Sequence, residues 1–139
     1  MLDTTVSFVK LLDKEGQTYD CEERPGQSDV VTLKFAGENC NSMVIRFFFD
    51  ADGKSAAVRC FSICRFTEEQ AGLAVIESNK LNNEYRWVRF SVDSDNEVAA
   101  SYDVILTPQN SGEVCYEILA RMVNIIDKVY PRFMKIRWN

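Results

Sequence analysis

Hydrophobic positions follow two different periods along this chain, and the switches between them outline its elements. Over residues 4–14, Phe8, Val9, Leu11 and Leu12 gather on one side at helical spacing, with Asp3 or Thr4 as cap and Gly16 as stop. The period then drops to two. A weak "TYDCEE" segment (18–23) precedes "VVTLKFA" (30–36), where Val31, Leu33 and Phe35 share a face. "MVIRFFF" (43–49) and "SAAVRCFSIC" (55–64) flank Asp50-Ala-Asp-Gly53 as a strand pair. Helical spacing returns at "RFTEEQAGLAVIESNKLNN", where Thr67 and Gln70 form a capping-box pair and Leu73, Ile76 and Leu81 are expected on the buried side. "RWVRFSVD" and "EVAASYDVIL" make a second strand pair. The clearest helix follows, with Cys115, Ile118, Leu119, Met122, Ile125, Ile126 and Val129 recurring every three or four residues until Pro131 is expected to stop it.

The order is α-β-β-β(-β)-α-β-β-α, in which strand, Asp-rich turn, strand and helix occur twice. This predicts an α+β domain over residues 1–139, an antiparallel sheet with helices packed on it. The 139 residues suffice for a real core, and 46% hydrophobic with 27% charged residues is ordinary globular composition.

The two Asp-rich turns raise a chemical question. An EF-hand loop places glycine at position 6 and a bidentate Glu at 12. Counting from Asp50 those positions hold Ser55 and Phe61; counting from Asp93 they hold Val98 and Val104. The turns therefore read as hairpins, closed by residues that tolerate left-handed backbone. A surface cation site or an acid/base pair is the sharper alternative.

Charge and residue usage narrow the functions further. The formal net charge is −5, and residues 119–139 alone carry +4, which leaves −9 for the remainder. A chain this acidic repels phosphate backbones, so nucleic acid is not expected as a partner, despite the basic and aromatic residues of "YPRFMKIRWN". Phe133, Ile136 and Trp138 of that tail are expected to pack back on the sheet. No run approaches the roughly 18 apolar residues of a membrane span, Asp3 opposes a signal peptide, and five scattered cysteines suit a reducing compartment; cytoplasmic residence follows as an expectation. Cys60 and Cys64 fall on one strand face about 13 Å apart, too far for a disulfide. Histidine is absent, which removes the commonest general base and the Ser-His-Asp and Cys-His triads. No phosphate-binding glycine motif occurs, and no cofactor is expected. A carboxylate-dependent enzyme remains an outside alternative.

Three residues stand out as partner-binding candidates. Phe48 lies on the strand face opposite Phe47 and Phe49. Trp87 and Arg89 are expected to share a face opposite Val88 and Phe90, and Trp and Arg are favoured interface anchors.

Residues 78–134 carry a resemblance. "LN" closing a helix, an Arg-aromatic strand, the Asp-rich turn, a second strand running into Asp103 and a long helix ending "IDKVYP" resemble the YbjN family of bacterial sensory transduction regulators; residues 1–77 fit it through element order. The resemblance implies the fold of type III secretion chaperones, whose members often form dimers and bind extended segments of partners. It brings no catalytic motif. The expected function is thus a non-enzymatic, chaperone-like or regulatory module, a homodimer that engages a protein or peptide partner. The alternative is a sensor of a small molecule or cation.

Overall fold

The computed structural model describes residues 1–138. Its elements are α1 (Asp3–Lys14), β1 (Asp20–Glu22), β2 (Asp29–Phe35), β3 (Met43–Phe49), β4 (Ser55–Arg65), α2 (Glu68–Glu84), β5 (Arg89–Val92), β6 (Glu97–Ile105) and α3 (Ser111–Arg137). The expected α+β order is therefore observed. All six strands form one antiparallel sheet in the order β1-β2-β3-β4-β6-β5.

Strand alternation decides which face receives the helices. Leu33, Ile45, Cys60, Ala100 and Phe90 align in register and are buried together. Phe47 and Phe49 share their face and meet Phe8 of α1, with ring centroids 4.6 and 6.0 Å away. Phe90 and Phe66 meet Phe133 of α3 at 5.9 and 6.3 Å. The helices thus cover one face, and no helix of the described residues packs on the other.

Several expectations need correction. The α1 cap is neither Asp3 nor Thr4. Leu2 holds the N-cap position without a side-chain bond, and the buried Asp29 of β2 accepts hydrogen bonds from the Leu2 amide (2.9 Å) and the Thr5 hydroxyl (2.7 Å). The cap is tertiary, supplied from 24 or more residues away. In α2 the capping box forms as expected, but the helix is rolled. Ala74, Ser78 and Leu81 face inward, whereas Leu73 and Ile76 are 56% and 54% exposed. The small Ala-Ser stripe admits closer packing than the bulkier one. Arg132 of α3 fixes this roll through Glu77 (2.5 Å) and Glu84 (2.6 Å).

Nor does Pro131 end α3. Proline removes the N–H that would bond the carbonyl four residues back, here that of Asp127. The Asn39 side-chain amide donates to that carbonyl instead, at 3.2 Å, and the helix continues to Arg137. Because the tail is helical, Phe133 is fully buried and Ile136 half-buried, while Trp138 points outward at 78% exposure.

Candidate functional site

The Asp-rich turns are occupied by their own backbone. Asp50 accepts from the Ser55 hydroxyl (2.6 Å) and Asp52 from the Lys54 amide (2.9 Å); Asp93 accepts from the Asp95 and Glu97 amides (2.9 and 3.0 Å). These are the bonds of hairpin turns. Among the described residues no group of three His, Cys, Asp or Glu side chains is placed to hold a metal.

The thiols are similarly quiet. All five cysteines are free, and burial pushes Cys60 and Cys115 up to about 12, with Cys21, Cys40 and Cys64 shifted the same way. A thiol held protonated is a poor nucleophile. Asp127 has its carboxyl drawn down instead, by backbone amides of Cys40, Asn39 and Glu38 at 2.8, 2.8 and 3.2 Å. It borders an open groove of about 690 Å³ beside Phe35, Tyr116 and Val123, but its oxygens are already engaged by the turn.

The uncovered sheet face carries the more informative pattern. One register row reads Asp20, Thr32, Arg46, Arg59, Ser101 and Arg89 across the six strands. The row on one side contains Val30, Phe48, Ala57 and Asp103. Phe61 (45% exposed) and Ile105 (86%) add apolar surface on the same face. Arg59 pairs with Asp103 at 2.8 Å. Among the described residues no carboxylate lies within salt-bridge distance of Arg46 or Arg89.

Of the three candidates, Phe48 lies half-buried on this open face, between Val30 and Ala57, and Arg89 is exposed on it, opposite Ser101. Trp87 does not share Arg89's face. It precedes β5 with φ 78°, left-handed backbone that breaks the strand alternation. Its ring stacks on Tyr102 (6.2 Å, 8° between planes), which alternates with the helix side, and the guanidinium groups of Arg86 and Arg121 lie 5.1 and 5.0 Å from its centroid. The cation–π partners of Trp87 are thus Arg86 and Arg121. Trp87 and Arg89 do border one shallow notch with Ser101, Tyr102 and Asp103, where β6 outruns the short β5. Sequence reasoning missed Arg46 and Arg59. Each alternates with core residues in its own strand, and that outward parity was the available signal.

No described helix is long and apolar enough to cross a membrane. Comparison with curated proteins returns no match. The model of the YbjN family, whose description reads "Putative bacterial sensory transduction regulator", matches residues 9–134, nearly the whole chain and well beyond the 78–134 segment that carried the resemblance most strongly. The helix-faced sheet, the engaged turns and this match agree: the chain belongs to the YbjN family.

Proposed function

We propose that this chain is a non-enzymatic, chaperone-like or regulatory module of the cytoplasm that acts by gripping a protein or peptide partner. One observation carries the reading: one face of the sheet, which no helix of the described residues covers, bears Phe48, Phe61, Ile105 and a row of arginines. Apolar surface grouped with arginine is what protein interfaces favour. A regulator's family description agrees with it. Trp87 at the adjoining edge adds a half-exposed aromatic held in a strained backbone, a combination that clusters at functional positions.

The module is further proposed to work as a homodimer through α2. The exposed stripe of α2 runs Glu69, Gly72, Leu73, Ile76, Lys80. An antiparallel second copy sets Leu73 against Ile76 and Glu69 against Lys80, twice over by symmetry. Gly72 fits the same picture. A glycine within a helix costs about 1 kcal/mol relative to alanine, yet a Cβ there meets nothing within 4 Å, so the fold itself does not require it. Close approach of a second helix does.

The test uses the tagged protein in lysate of its own host, with chemical cross-linking and mass spectrometry, against a Phe48→Ala/Phe61→Ser variant that still melts cooperatively. A partner cross-linked to β3, β4 or β6 on the open face and lost by the variant is the expected result. Cross-links confined to the helix side refute the sheet-face reading. Sedimentation tests the dimer: Leu73→Glu/Ile76→Glu is expected to convert dimer to monomer, and a wild type that stays monomeric at high concentration ends that part.

A further inference from the structure

The chemistry of the partner can be read from a defect in the sheet. Arg46 and Arg59 stand directly opposite one another on β3 and β4, and like charges in that position destabilise a strand pair. Asp103 relieves Arg59 alone. Arg46 is half-buried and Arg89 exposed, and among the described residues neither has a carboxylate within reach. Three cations thus share one register row in a protein whose net charge is −5. Nothing in the fold accounts for placing them together, and an anionic group laid across the row would.

Spacing says what kind of anion. From β3 through β4 and β6 to β5 is three strand steps, about 14 Å at about 4.8 Å each. In an extended peptide, side chains at alternate positions i, i+2 and i+4 point the same way and span about 13–14 Å. The neighbouring rows offer Phe48, Ala57, Val44 and Ala99, apolar flanks against which such a backbone can rest. The β1 edge is acidic, carrying Asp20 and Glu22. That edge repels a long polyanion that overruns the row, but a short acidic stretch stays within it.

We infer that the open sheet face receives an extended protein segment with acidic side chains at alternating positions, laid across Arg46, Arg59 and Arg89. This rests on the reading of the chain as a partner-binding module and names the partner's chemistry.

The experiment is fluorescence anisotropy at low ionic strength with a labelled peptide of about ten residues alternating glutamate and threonine. The same peptide with lysine for glutamate, and a single-stranded oligothymidine, serve as comparisons. The glutamate peptide is expected to bind, to weaken as salt rises, and to lose about tenfold or more in affinity in Arg46→Gln/Arg89→Gln. Arg46→Lys/Arg89→Lys, which keeps the charge, should retain most of it. Independently of any ligand, Arg46→Gln alone is expected to raise the melting temperature, because it removes the like-charge pair. The inference is overturned if the glutamate peptide binds no better than its lysine counterpart, or binds the glutamine variant equally. Tighter binding of the oligothymidine, lost in that variant, overturns it in favour of nucleic acid. If the glutamate peptide fails while cross-linking still maps a partner to the open face, the partner is not acidic and the binding-module reading stands.

Discussion

Replacing Gly37 by alanine tests how tightly the β2–β3 turn is moored to α3. A Cβ built on Gly37 stands 2.2 Å from Oδ1 of Asp127, 2.4 Å from its Cγ and 3.0 Å from Oδ2. Relief requires the carboxylate or the turn to move by about 1 Å, which lengthens the 2.8 Å bonds from the Asn39 and Cys40 amides beyond hydrogen-bonding range. Two bonds at about 0.5–1.5 kcal/mol each, together with residual crowding, give a cost of about 2–3 kcal/mol. At roughly 2.1 cal/mol/K of unfolding entropy per residue, the 139-residue chain should melt about 7–10 °C lower. The assay is thermal and urea denaturation of four proteins: wild type, Gly37→Ala, Asp127→Ala and the double variant. In the double variant the obstructing carboxylate is gone, so the alanine should add almost nothing to the loss caused by Asp127→Ala. An equal Gly37→Ala penalty in both backgrounds, or a single variant that melts with wild type, refutes the reasoning.

Asp127 also sets one limb of the pH profile. Its folded pKa lies below the ordinary carboxylate value, so its contribution is present above that ordinary value and lost as pH falls through the folded one; urea midpoints should drop on the acid side, and less so in Asp127→Asn. At the alkaline end, Cys60 and Cys115 titrate near 12 against an ordinary value of 9.0, so the stability they lend is complete below pH 9 and fades as pH climbs toward 12. Native alkylation should reach Cys21 first, because it is the one thiol that is not buried, and a native protein that loses Cys60 or Cys115 equally fast contradicts the packing. At Trp87 the usual ranking of substitutions should invert. Trp87→Gly relieves the φ of 78° and should unfold later than Trp87→Ala by about 1 kcal/mol in urea.

Much of the architecture is legible in the sequence because period and turn chemistry are local. Alternation in 43–49 and 55–60, the Asp-rich hairpins and the Thr67–Gln70 box all appear where expected, whereas a bulge with Ser62 at φ 56° breaks the alternation expected to run on to residue 64. What was not legible depends on partners distant in the chain. Leu73 and Ile76 form as good a helical stripe as Ala74, Ser78 and Leu81, and only the Arg132 clamp and the close packing of small residues select between them. Trp87 follows strand parity on paper, and one left-handed residue defeats it. Arg46 and Arg59 are each predictable as outward-facing, yet that they are directly opposed is a fact of register, set by the pairing of two whole strands.

Asn39's bond to the Asp127 carbonyl has a consequence for how this protein opens. A helix that crosses a proline on a borrowed donor is cooperative only while the donor is in place, so α3 contains a seam at Asp127–Pro131. Amide exchange beyond the seam, from Arg132 to Arg137, should follow the docking of the 37–40 turn, while exchange before it tracks global unfolding. During folding, the bond that bridges the proline cannot form until β2 and β3 have brought Asn39 into position, 88 residues back in the chain from Asp127. The seam is thus expected to lock late and loosen early, while the turns beyond it stay tied to α2 through Arg132 and to the core through Phe133.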